Sequence, residues 1–166
     1  MAGEIVNKIA KAGIEQIDLV DFVNNTPLLE IDLKNHLWNE MVLREKEFRS
    51  WIKTNDWNKY QNKIVYIYCS SDAIIPAWAY MLLVANLQNT QTIIYGNENQ
   101  AKEDLFFANL ENWDTNHLID KRVMVKGCSS IPNPNKAYVV LTNKLVPIVK
   151  SLMFGEPCSA VPVYKK

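Results

Sequence analysis

From Ile64 to Tyr68 the chain reads Ile-Val-Tyr-Ile-Tyr with no polar alternation, and it passes at once into Cys69-Ser70-Ser71-Asp72. An unbroken apolar run of strand length suits a strand covered on both faces, which is the usual condition in a parallel sheet. Pro76 then precedes Ala77-Trp78-Ala79-Tyr80-Met81, and proline is tolerated in a helix only around its first turn. A buried strand, a polar turn and a helix entered through proline are predicted here. The same order returns at Arg122-Val-Met-Val-Lys-Gly-Cys128-Ser129-Ser130, followed by Pro134 and then Ala137-Tyr138.

Between these copies the alternation continues. Gln91–Tyr95 is an apolar β run, Gly96-Asn97 turns, and a helix follows at about 98–112. After the strand at 122–127 a helix is predicted at 134–153, kinked or divided by Pro147. Upstream, residues 4–12 carry apolar spacing of three to four and stop at Gly13, as a short helix does. Residues 14–23 read as a weak edge strand or extended arm, and Leu28–Leu33 as a strand. Asn35 can cap a long helix to about Thr54 whose inner stripe includes Leu37, Met41, Phe48 and Ile52. The charged stretch Arg44–Arg49 reads as its solvated face. Strands separated by helices of ten or more residues predict an α/β fold: a single three-layer domain over 1–166, with a mainly parallel sheet and helices on both faces. Within it, 1–27 form an N-terminal helix and arm, and the Pro-containing tail 154–166 packs back on the body.

Charge narrows the function classes. Lys plus Arg equals Asp plus Glu at 18 each, so no overall field attracts nucleic acid or an acidic membrane. No run approaches the ~18 apolar residues of a membrane span, and the first residues lack a signal-peptide pattern. A cytoplasmic protein is expected. Its three cysteines cannot all pair, and in a reducing compartment they bind metal, do chemistry or sit buried.

Cys69 and Cys128 occupy equivalent places at the carboxyl ends of strands, where open parallel sheets bind ligands. If those strands are neighbours, the two sulfurs can converge. His36 follows the strand at 28–33 and lies at the same predicted edge, and the turn around Gly155, Pro157 and Pro162 can carry Cys158 back over it. Cys69, Cys128, Cys158 and His36 thus make a candidate zinc, iron or iron-sulfur ligand set, with Asp72 or water as other candidates for the fourth position. An open fourth position would allow Lewis-acid or water-activating chemistry. The spacing is unspecific: 59 positions separate the first two cysteines, 30 the last two, and there is no Cys-x-x-Cys.

Two other classes compete. A metal-free thiol enzyme or small-anion site would use a cysteine near a helix N-terminus, with Ser70, Ser71, Ser129, Ser130 and Ser159 as caps or anion ligands and Asp72 as cap, partner to a ligand or base. A non-catalytic interaction module would instead use the exposed face of 36–54 and the Pro-containing tail. Glycine-rich phosphate loops, Gly-x-Ser-x-Gly and a phosphatase Cys–Arg spacing are all absent. Trp78, Tyr80 and Tyr138 read as helix–sheet packing, and His117 as loop surface. The oligomeric state is open.

The segments Leu43–Arg49, Cys69–Met81, Lys126-Gly-Cys-Ser129 and Gly155–Lys165 resemble a domain-of-unknown-function family, number 2480, of Bacteroidetes-type bacteria, over nearly the whole chain. The resemblance implies a self-contained cytoplasmic bacterial domain and assigns no catalytic residue.

Overall fold

The computed structural model describes residues 13–166, so the helix expected at 4–12 lies outside the described residues. The described residues form two compact units, one comprising residues 13–24 together with Leu105–Lys166, the other Asn25–Asp104. The α/β class and the mainly parallel strands are as expected. The strands, however, form two sheets rather than one.

In the Asn25–Asp104 unit, β2 (Leu28–Asp32), β3 (Ile64–Tyr68) and β4 (Thr92–Tyr95) form a parallel sheet in that spatial order. Helix α1 (Glu45–Thr54) connects the first two strands and α2 (Ala77–Asn86) the second two. Both crossovers step in the same direction, so right-handed connections put both helices on one face of this sheet, where they pack on each other. Ile31, Val65 and Ile67 meet Phe48, Ile52, Leu83 and Leu87 in the core. The strand order never reverses, so no switch-point crevice opens at this sheet.

The other unit holds β1 (Ile14–Ile17), β5 (Arg122–Val125), β6 (Ser151–Phe154) and β7 (Val161–Lys165), in the order β1-β5-β6-β7. The first three are parallel and β7 runs antiparallel to β6. Helix α3 (Glu98–Asn112) contributes Phe106 and Leu110 to its core, and α4 (Pro134–Leu145) contributes Leu141 and Leu145, against Val123 and Leu152.

Two expected helices are corrected. Leu33–His36 is a single 310 turn, and the helix begins only at Glu45. Between them Asn39 and Glu40 take positive φ values of 48° and 57°, which no helix accommodates. The expected helix at 134–153 ends at Leu145. Pro147 brings no N–H to an i→i−4 bond and its ring clashes with the previous turn, so the chain turns back and residues 151–154 enter the sheet beside β5.

Candidate functional site

A cluster of polar bonds lies at the carboxyl ends of β2 and β3, whose last residues, Asp32 and Tyr68, stand side by side. One oxygen of Asp32 accepts from the Lys34 N–H at 2.9 Å and the Ser70 N–H at 3.0 Å, and the other accepts from Ser70 Oγ at 2.6 Å. Burial pushes this carboxyl up, but the Ser70 hydroxyl and N–H, the Lys34 N–H and the Lys34 ammonium outweigh it and hold the group below its ordinary value. Ser71 Oγ donates to the Glu40 carbonyl at 2.6 Å, and Lys34 Nζ lies 3.2 Å from the Glu40 carboxylate. The loop after β2 and the loop after β3 are therefore fastened to each other.

These fastened loops present apolar side chains to solvent. Trp38 and Val42 form an isolated antiparallel bridge, with the Trp38 N–H donating to the Val42 carbonyl at 2.8 Å and the positive-φ pair Asn39-Glu40 at its tip. Trp38 is 46% exposed, Val42 51%, Met41 69% and, on the neighbouring loop, Ile74 92%. The Arg44 guanidinium lies 4.0 Å above the Trp38 ring and is itself paired with Glu47 at 3.1 Å. Leu43, buried, anchors the loop from behind.

His36 is part of the packing beneath. Its ring stacks on Trp51 at 3.6 Å and meets the edge of Phe48 at 6.4 Å, beside a cavity of about 230 Å³ that Asn35, Leu37 and Glu47 also line. Burial pushes the imidazole below its ordinary 6.5; the Asp32 carboxylate opposes this and Lys59 adds to it. Below that ordinary value the unfolded chain binds the proton first, so the His36 contribution to stability declines as pH falls through about 6.5. Urea unfolding at pH 7.5 and 5.5 should show a shallower loss for His36→Gln than for the parent chain. Equal slopes would contradict it.

The three cysteines lie on different elements of the two sheets. Cys69 follows β3 of one sheet, where its thiol donates to the Ser71 carbonyl at 3.5 Å, whereas Cys128 follows β5 of the other sheet. Cys158 is exposed in the turn between β6 and β7, and none of the three forms a disulfide. Among the described residues no group of three or more His, Cys, Asp and Glu side chains could hold a metal ion. The expected ligand set of Cys69, Cys128, Cys158 and His36 at one sheet edge is therefore not supported as a metal site, and the repeated strand–turn–helix motifs belong to two different sheets.

Of the candidate polar residues, Ser70 and Ser71 serve the two loops, and Asp72 is exposed beside Ile74. Ser129 and Ser130 are exposed, and Ser159 gives its N–H to Glu156 at 2.9 Å within the hairpin turn. The helix caps fall to Pro76 and Asn133 instead of the serines.

The tyrosines of the repeated motif do more than pack. Tyr138 Oη accepts from the Cys128 N–H at 2.7 Å and lies 3.1 Å from the Cys128 carbonyl, clamping the loop after β5. Tyr138→Phe should leave the Cys128 N–H without this acceptor and lower unfolding free energy by about 0.5–1.5 kcal/mol in denaturant titration; no change would show the clamp to be idle. In the other copy, burial, then the charge and hydrogen bond of Tyr95, then Cys69, push the Tyr80 hydroxyl up to about 12. The Ala-Tyr pair common to both motifs was the available signal. Trp38, Met41 and Val42 gave none, because their spacing imitates a helix.

A family model described as "Protein of unknown function (DUF2480)" matches residues 3–166. The chain belongs to this family. No curated protein and no solved structure matches it.

The DUF2480 chain also has a concave apolar surface. Tyr138, Val139, Thr142, Asn143, Val146 and Pro147 line a groove of about 560 Å³ along α4, and Tyr138 and Thr142 also border a cavity of about 280 Å³ against β6 and β7. Strand β7 is the sheet edge here, but it carries Pro162, the extra residue Val163 of a bulge, and Lys165. Those three devices oppose strand addition, so the groove itself is the available surface. Among the described residues no helix is long and apolar enough to cross a membrane.

Proposed function

We propose that the chain is a protein-binding module whose fastened carboxyl-edge loops present Trp38, Met41, Val42 and Ile74 to a partner. The observation that carries this reading is that side chains 46–92% exposed sit on loops pinned by Asp32–Ser70 and Ser71–Glu40. Ordered backbone spent on holding large apolar groups in water has a purpose if they are buried elsewhere, and exposed apolar patches with polar rims mark interaction sites. Tryptophan is among the residues that dominate interface energy. Glu40 and Asp72 between the apolar groups suit a protein better than an anionic lipid surface. Three unpaired thiols fit a reducing, cytoplasmic setting. A thiolate metal centre finds no support in the arrangement of the ligand residues.

The test is chemical cross-linking in native lysate with the parent chain and with Trp38→Ala and Ile74→Ser. Both variants should melt within a few degrees of the parent, since the removed groups are exposed, and each should lose at least ~10-fold in captured partner, the scale of a central aromatic anchor. Capture unchanged in both variants would sink the reading.

A further inference from the structure

We infer that the cavity beside β1, between the turn that follows this strand and the turn that follows α3, binds an alkylated ammonium group, on residues that the loop patch does not use. The cavity measures about 300 Å³, and Phe22, Trp113 and His117 line it together with Glu15, Asp18 and Asp21. All six belong to the unit that contains β1. Phe22 and Trp113 each pack partly on the core of that unit, and their rings meet edge to face at 5.1 Å with planes 69° apart. The His117 ring stands 5.7 Å from Trp113 at 66° to it. The backbone behind these rings is held in place: Asn109 Nδ2 on α3 donates to the Phe22 carbonyl at 3.0 Å, and Asp114 accepts from the Asn116 N–H at 2.9 Å in the turn that carries His117. Rings set nearly at right angles make a corner in which a compact cation touches more than one of them, and quaternary ammonium groups are recognised in this way. The carboxylates fix the sign of the occupant. Asp18 is paired with Lys126 Nζ at 3.2 Å and accepts from the Val20 N–H at 3.2 Å. Glu15 and Asp21 are exposed, and among the described residues their carboxylates have no ion pair or hydrogen bond. The cavity therefore keeps negative charge that the chain itself does not pair. A metal ion is a poor match, because it takes several close oxygen or nitrogen ligands, and among the described residues no group of three such side chains could hold one. The volume lies at the lower end of the range of about 300–1,000 Å³ for ligand sites, which suits a head group such as trimethylammonium. A free small molecule and a methylated lysine of another protein both carry that group.

NMR titration of the full isotope-labelled chain tests this, with choline, with its uncharged isostere in which carbon replaces the nitrogen, and with sodium chloride at matched ionic strength. Choline should shift the Trp113 indole N–H saturably and sodium should not. The isostere should bind at least ~5-fold more weakly, the scale of a cation–π contact at a part-exposed site. Glu15→Gln and Asp21→Asn, both at exposed positions, should melt as the parent does and together weaken choline by at least ~3-fold. Phe22→Leu removes one wall and should weaken it by a similar factor; if that variant unfolds, the two carboxylate variants still decide. A short peptide bearing trimethyllysine separates the two sources: tighter binding than choline assigns the head group to a protein, and equal or weaker binding assigns it to a free small molecule. No saturable shift of the Trp113 indole, equal binding of choline and its isostere, or choline binding untouched by the combined carboxylate variants overturns the inference.

Discussion

Replacing Phe48 with alanine is expected to lower unfolding free energy by about 3–5 kcal/mol, the range for truncating a fully buried aromatic. Phe48 is 1% exposed on the inner face of α1, and its ring lies 5.3 Å from Trp51, 5.9 Å from Trp78 and 6.4 Å from His36. The loss therefore has two parts: the cavity itself, and aromatic edge contacts worth roughly 0.5–1.5 kcal/mol each. Guanidinium unfolding followed by tryptophan fluorescence reads it directly, because Trp51 and Trp78 report the same cluster. A change under about 1 kcal/mol would mean that the site collapses without penalty and that the aromatic cluster is not the core of this unit.

Replacing Asp32 with alanine should cost about 1.5–3 kcal/mol, the range for hydrogen bonds to a charged group. The change strips one acceptor from the Lys34 N–H, the Ser70 N–H and the Ser70 hydroxyl together. Its effect depends on pH with a definite sign. A carboxyl held below its ordinary 3.8 contributes fully above that value, and the contribution is lost as pH falls through the depressed value in the folded protein. The parent and Asp32→Asn should therefore differ at pH 7 and converge as pH falls through that depressed value. Hydrogen exchange at the Lys34 and Ser70 amides supplies the local reading. Exchange that stays slow in Asp32→Ala would show that the loops are held by something else.

Much of the fold was legible because it is written in local pattern. The run Ile64–Tyr68 can hardly be other than a covered strand, and β4 and α3 fell where apolar period and the Gly96-Asn97 turn put them. Sheet membership was not legible. Two strand–turn–helix motifs with the same residues predict two equivalent edges, but equivalence is not proximity, and no local feature of 122–125 tells β5 to pair with β1 and β6 rather than with β3. That single ambiguity produced the expected gathering of cysteines. The loop patch was hidden for another reason. Leu37, Met41, Arg44 and Phe48 recur at helical intervals, while the two left-handed residues that forbid the helix are asparagine and glutamate, and no glycine marks the turn. Pro147 marked the break correctly, yet four residues as short as Ser-Leu-Met-Phe carry no period that separates a strand from a helix.

The two units differ in how their segments are ordered along the chain, and this bears on synthesis. Strands β2, β3 and β4 follow one another without interruption, so this sheet can close soon after residue 95 leaves the ribosome. Strand β1 has to wait: Ile14 pairs with Arg122, 108 positions later. At a translation rate of about 5–20 residues per second, β1 spends roughly 5–20 s with both edges unpaired. Four residues with one acidic side chain are a short enough segment to pass that interval with little tendency to pair wrongly.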